Sequence, residues 1–302
     1  MELLNNFIFH TVSSFDDSIS TPHETVAVVM STALSAPYLM YQVLALSALH
    51  LSQTRTTNAV PYREEAMNLQ TQALSLFNDY VAPVTAENRV PMFMFASFLG
   101  LHALGEATAA SELDADGFLD SFVTYLNLHR GVRAIIGSSW ESLRSSQISP
   151  ILTHAMHSVN TAPLHGQERG HQVAGHLHRL LEGADMSTEA MTACQSAVDN
   201  LRLSFQSEPS PGEAPDEAGS NRQLVWAWPV LLPAIFPELL MRRQPEALII
   251  LCHYAILLHR RRHIWLVGRA GHMLIVAITK SLGTYWRSWL DLPNQILEEP
   301  AR

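Results

Sequence analysis

The sequence predicts an all-α protein, and three observations carry that prediction. Apolar residues recur at three- and four-residue steps, as in Ala66, Leu69, Ala73, Leu76, Phe77 and Tyr80, while Asn68, Gln70 and Gln72 lie off the stripe. That is the period of one helix face. Alternating runs bounded by hairpin dipeptides, the mark of strands, are absent. Prolines stand where they open helices, at Pro22, Pro37, Pro61 and Pro245. Of 302 residues, 47% are hydrophobic and only 16% charged, which is enough apolar material for a sizeable core.

The elements follow in order. Thr21-Pro-His-Glu24 reads as a capping-box start. Helices are expected over 38–52 and 62–80. The segment 92–104 is apolar on all sides, so it is expected to be central. Phe118, Phe122, Tyr125, Leu126, Val132 and Ile136 mark a long helix stopped by Gly137. Further helices are expected near 150–160, 168–181 and 188–205. Residues 206–221, rich in Pro, Gly, Ser and acids, read as a flexible loop inside one domain spanning 1–302. Pro229, Pro233 and Pro237 stand four apart. Each deletes a backbone donor and clashes one turn back, so Trp226 to Pro229 is expected as a bend, with a new helix near Pro237. The segment 246–289 is the most apolar: two helical patterns joined by an arginine-dense patch and a tryptophan–glycine turn. Nearly every position that would face solvent is apolar, aromatic or histidine, so this hairpin must be packed inside something or around something.

Charge and motifs narrow the chemistry. Residues 1–220 carry 9 Arg against 23 acids, and residues 221–302 carry 9 Arg and Lys280 against 5 acids. An acidic body argues against wrapping nucleic acid. The basic C-terminal part is expected to match the chain's own acidic half, or else to attract an anionic ligand. The apolar runs fall short of about 18 uninterrupted residues, so no stable membrane insertion is expected, and the N-terminus lacks a basic n-region. Cys194 and Cys252 suggest no disulfide framework, which fits a reducing interior. GxxxxGK[ST], GxGxxG, GxSxG and HExxH are all absent. His259 and His263 have the spacing of a zinc pair, but the three arginines between them would repel a metal. His154, His157, His171, His176 and His178 read as surface histidines. No metal and no cofactor are expected. Lys280 reads as a helix residue reaching for water.

A large aromatic interior remains. Trp226, Trp228, Trp265, Trp286 and Trp289 all fall in the last quarter. Either they fill a core, or their rings line a cavity for a flat hydrophobic ligand. His253, Tyr254 and His272 are the candidates for its few polar contacts.

Three blocks together resemble one family. They are LLNNFIFHTVSSF with APYLMYQVLALSALHLSQT and PYREEAMNLQTQALSLFN, then FLDSFVTYLNLHRGVRAIIGSSWESL, then EALIILCHYAILLHRRRHIWLVGRAGHMLI. In this order they look like the all-helical effector domain of fungal zinc-cluster regulators, the type found in sterol uptake control proteins. The resemblance implies a single helical bundle enclosing a hydrophobic pocket, closed by the C-terminal hairpin, and pairing as a homodimer. It places His253, Leu257, Trp265, Gly268 and His272 on that hairpin, with Gly268 at a turn needing φ above zero or close backbone approach. Trp226 and Trp228 are added as walls. The zinc cluster needs six cysteines and this sequence has two, so the family's route to DNA is expected to be missing. Some stand-alone members of this fold look like they belong to fungal secondary-metabolite clusters, and among them, the resemblance suggests, are proteins that catalyse hetero-Diels–Alder coupling of a quinone methide to a terpene alkene.

The expected function is therefore a cofactor-free cyclase of fungal secondary metabolism, with His253, Tyr254 and His272 as hydrogen-bond donors. Proximity and exclusion of water would supply most of the rate. The alternative is a sterol- or metabolite-sensing effector domain without its DNA-binding module. A dimerisation scaffold is the third. The expected partner is a hydrophobic terpenoid, sterol or quinone-methide-like molecule. The expected location is the cytoplasm, or the nucleus for a regulator.

Overall fold

The computed structural model describes residues 1–15, 22–55, 57–80, 83–109, 114–137, 146, 148, 164–208 and 224–298. Among these, thirteen α-helices form and no strand. The all-α expectation holds. The contacts divide the chain into two compact units.

The first unit comprises Met1–Ala109, Gly131–Thr153 and Ile264–Leu266. Its helices are α1 (Glu2–Asn6), α2 (Pro22–Ser35), α3 (Pro37–Thr54), α4 (Ala59–Tyr80) and α5 (Arg89–Ala109). Pro37 opens α3 at its first turn, where the missing N–H has no partner to lose. Pro61 lies inside the first turn of α4, two residues later than expected. α3 is the hub, packed by α1, α2, α4 and α5, and from Gln42 to Leu51 only Leu44 is not buried. One end of the bundle is locked by rings. Tyr38 meets Phe77 and Phe95 edge-on at 5.4 and 5.3 Å, and Phe77 stacks on Phe95 at 4.4 Å. Such pairs contribute about 0.5–1.5 kcal/mol each beyond area burial. The α4 stripe is apolar as expected at Ala66, Leu69 and Ala73, but Leu76 and Tyr80 near its end are exposed. α5 is long and apolar enough to cross a membrane by length and composition, yet half of that window is buried inside the fold.

A polar knot fixes the other end. After α1 the backbone widens into one π-helical turn, Phe7–Thr11. The Asn6 amide donates to Thr11 Oγ1 at 3.0 Å and Ser47 Oγ at 2.9 Å, while the Ser47 hydroxyl donates to the Leu3 carbonyl at 2.7 Å. His50 Nδ1 lies 3.1 Å from Thr11 Oγ1. Trp265 covers this knot, its ring 4.9 Å from His50 and its indole N–H donating to Ser14 Oγ at 2.9 Å.

The second unit comprises Ala110–Arg130, His154–His263 and Val267–Arg302. Its helices are α6 (Ala115–Gly137, whose last turns belong to the first unit), α7 (Leu164–Glu182), α8 (Thr188–Gln206), α9 (Leu224–Leu231), α10 (Phe236–Met241), α11 (Pro245–Arg260), α12 (Ala270–Leu282) and α13 (Arg287–Glu298). α6 ends at Gly137 as expected. α11 and α12 pack against each other, and every residue from Glu246 to His259 is buried. Gly271 makes the approach possible: a Cβ there would stand 2.3 Å from the His259 backbone nitrogen and 2.5 Å from the Ala255 carbonyl. Gly166 and Gly170 serve α7 in the same way, against Gln206 and Arg202 of α8.

Several expectations change. Trp226 to Pro229 is not a bend but lies inside helix α9. Pro229 cannot bond to the carbonyl one turn back, that of Val225, and the Tyr254 hydroxyl donates to it instead at 3.0 Å. A buried partner thus replaces the bond the proline deletes. Where the flexible loop was expected to begin, Gln206 still belongs to α8, and Ser207 and Glu208 are buried. Residues 209–221, the cap at Thr21 and the helix near 150–160 lie outside the described residues.

Two outcomes follow for stability. Gly271→Ala should cost about 1–3 kcal/mol, read as a lower thermal midpoint with unchanged far-UV dichroism after cooling. Burial pushes His50, His102, His129 and His253 down to about 4. Between about 6.5 and 4 the unfolded chain binds protons that the folded one refuses. Stability is therefore lost as pH falls through that window, by up to about 1.4 kcal/mol per pH unit for each such group. A melting temperature flat from pH 7 to 5.5 would contradict this.

Candidate functional site

α11 is apolar on every side, so any polar atom on it must find a partner within the fold. His253 is fully buried, and its Nδ1 lies 2.9 Å from the Ile249 carbonyl. A carbonyl only accepts, so the single proton of the neutral ring sits on Nδ1. Nε2 is left as a buried acceptor with no hydrogen-bond partner among the described residues. His176 lies beside it, ring centroids 5.8 Å apart, and Trp289 flanks His176 at 4.7 Å. His176 is therefore half-buried among rings rather than a surface histidine, while His171 is exposed. His178 faces Asp199 at 3.3 Å, and His154 and His157 lie outside the described residues.

Tyr254 stacks on Trp228, centroids 4.2 Å apart and 18° from parallel. The Trp228 indole N–H donates to the Ala197 carbonyl at 3.0 Å, and Phe236 meets its ring edge-on at 5.9 Å. Phe122 of α6 extends this aromatic row 6.4 Å from Tyr254. Desolvation raises the Tyr254 phenol well above its ordinary value, so the group is a hydrogen-bond donor and not an acid.

The remaining predicted residues are more dispersed. Leu257 is fully buried on α11. Trp226 is half-buried on α9, and His272 is half-buried on α12 with its Nδ1 buried and without a partner. Gly268 takes φ +43° in the turn between the hairpin helices, as its position suggested. Trp265 belongs to the first unit and is occupied there by His50 and Ser14. Cys194 and Cys252 are buried free thiols, and burial pushes the Cys194 thiol up to about 12.

The arginine patch is matched from within. Arg261 is buried and binds the equally buried Glu208 at 2.6 Å, while Arg260 lies 3.9 Å from the other carboxylate oxygen. Arg169 donates to the Glu208 backbone carbonyl at 3.1 Å. Arg243 with Asp120 at 2.8 Å, and Lys280 with Asp116 at 3.8 Å, likewise join bases of the C-terminal part to acids of the rest. Lys280 is exposed, as expected. Among the described residues no group of three or more His, Cys, Asp or Glu is placed to hold a metal.

Sequence reasoning missed two polar residues of α6. Tyr125 appeared only as a member of an apolar stripe, and His129 four residues later only as part of a block carrying the family resemblance. Both are buried, with ring centroids 4.7 Å apart, and among the described residues neither the Tyr125 hydroxyl nor either ring nitrogen of His129 has a hydrogen-bond partner. The Tyr–His pair at helical spacing was the one available signal.

Comparison with known families gives one match. The model of the fungal specific transcription factor domain matches residues 2–99, about a third of the chain, from α1 into α5. No curated protein and no solved structure matches.

The Tyr254 geometry sets a test. Tyr254→Phe keeps the stacked ring but strands the Val225 carbonyl, so it should cost about 1–3 kcal/mol, read as a lower urea midpoint at unchanged m-value. An unchanged midpoint would mean that the proline-bearing helix does not depend on this hydroxyl.

Proposed function

We propose that this chain is the effector domain of a fungal transcriptional regulator, acting in the nucleus and responding to a hydrophobic metabolite. The observation that carries this reading is the match of residues 2–99 to the fungal specific transcription factor domain. The 302 residues act together as one effector domain that pairs as a homodimer. Its ligand is an uncharged molecule of terpenoid or sterol size. The six-cysteine cluster of such regulators is not within these residues, so contact with DNA falls to another module.

Donor chemistry favours the regulator over the cyclase. A cycloaddition of a quinone methide gains from a donor aimed at its carbonyl oxygen. The one N–H of His253 is committed to Ile249, and the Tyr254 hydroxyl to Val225. What His253 has left is an acceptor, which repels a carbonyl oxygen. Of the expected donors, His272 alone makes no hydrogen bond of this kind among the described residues.

A reporter assay tests the proposal. The chain is fused to a heterologous DNA-binding domain in yeast, and transcription is measured with ergosterol or humulene varied. A ligand-dependent change of several-fold is expected. A silent reporter, together with stereochemically controlled adduct formation from a quinone methide and humulene by the purified protein, would overturn it in favour of the cyclase.

A further inference from the structure

Buried polar groups in folded proteins nearly always have partners, and each orphan costs about 1–3 kcal/mol. The aromatic row of the second unit obeys this at one end. Trp228 donates to Ala197 and Tyr254 to Val225. At the other end it does not. Phe122 leads to Tyr125 at 5.0 Å, and Tyr125 to His129 at 4.7 Å with perpendicular rings. Tyr125 is 1% exposed and His129 4%. Three polar atoms, the Tyr125 hydroxyl and both nitrogens of His129, are buried with no hydrogen-bond partner among the described residues. Spaced four apart on α6, they share one helix face. Three orphans on neighbouring rings of one helix face mark a place that calls for a hydrogen-bonding group.

The chemistry of the seat defines its occupant. A phenol can donate and accept, and a neutral imidazole donates at one nitrogen and accepts at the other. Burial holds His129 neutral. A carboxylate would need a buried cation, and the buried arginine among the described residues, Arg261, is held by Glu208. A carbonyl would satisfy donors only, leaving the imidazole lone pair stranded. A hydroxyl group can do both, accepting from one residue and donating to the other.

We propose that Tyr125 and His129 hold the polar end of this effector domain's ligand, a neutral, mostly apolar alcohol. The inference rests on the effector-domain reading above and locates its ligand on α6 rather than on the polar residues of α11.

The test has two arms, both on the full chain. In the ligand-free protein, Tyr125→Phe and His129→Leu remove groups that have nothing to bond, so the melting temperature should stay level or rise. This is the opposite of Tyr254→Phe, the same chemical change at a satisfied hydroxyl. In the second arm, farnesol, geranylgeraniol and 1-dodecanol are each titrated against the matching hydrocarbon. At least one alcohol should raise the wild-type melting temperature while its hydrocarbon does not, and either substitution should weaken that alcohol tenfold or more. A fall of several degrees in ligand-free Tyr125→Phe overturns the proposal, because the hydroxyl then has a partner such as a bound water. So does a wild type that answers no alcohol, or variants that bind as the wild type does. A responsive reporter with unaltered Tyr125→Phe binding would sink the seat and leave the effector reading standing. A silent reporter with alcohol binding lost in the variants would do the reverse.

Discussion

A helix with no solvent-facing side must be wrapped by other parts of the chain, and α11 is such a helix. From Glu246 to His259 every residue on it is buried. The apolar surface to be covered is what brings α8, α10, α12 and α13 against it; the hydrophobic term scales with that area. Close wrapping in turn demands glycine at 271, where the α12 backbone comes against α11. It also demands that the polar atoms carried inward be served locally. Glu246 accepts from the Gln244 side chain at 2.6 Å, His253 turns to its own helix backbone, and Tyr254 reaches to α9.

That last contact shows why some of the fold was legible in the sequence and some was not. Helices α3, α4, α8 and α11 were readable to within a few residues, because period and opening prolines are local signals. α9 was misread because the rule against proline in a helix assumes that the freed carbonyl stays empty. Here the donor that fills it stands 29 residues further along the chain, and nothing in the local sequence announces it. The fully buried positions of α11 could be named from composition alone. Their hydrogen-bond roles could not, since these depend on which backbone atom happens to lie opposite. Tyr125 and His129 were invisible for a related reason: having no partner is a property of the surroundings, not of the residue type.

The buried pair of Glu208 and Arg261 makes the same point for charge. A glutamate at the edge of a segment rich in proline, serine and acids reads as a solvated residue. Removing two charges from water is costly and is offset only by close pairing and further bonds. Arg261 meets that requirement, with one nitrogen on Glu208 and another on the Leu257 carbonyl. The imbalance between an acidic first part and a basic last part is thus resolved at specific contacts within the second unit.

The tripeptide Ile264–Leu266 has a consequence for how the chain is made. The first unit holds its first 109 residues in one run, yet also includes these three from far downstream. Trp265 caps the His50 knot, and Leu266 packs against Gly105 and accepts a hydrogen bond from Thr108. At ribosomal speeds of 5–20 residues per second, roughly 150 residues of further synthesis take on the order of 8–30 s. During that interval α1 to α5 stand translated but lacking their closing residues. The N-terminal helices of a nascent chain must therefore wait, with Gly105 covered by Leu49 but not yet by Leu266, for a piece made roughly 150 residues later.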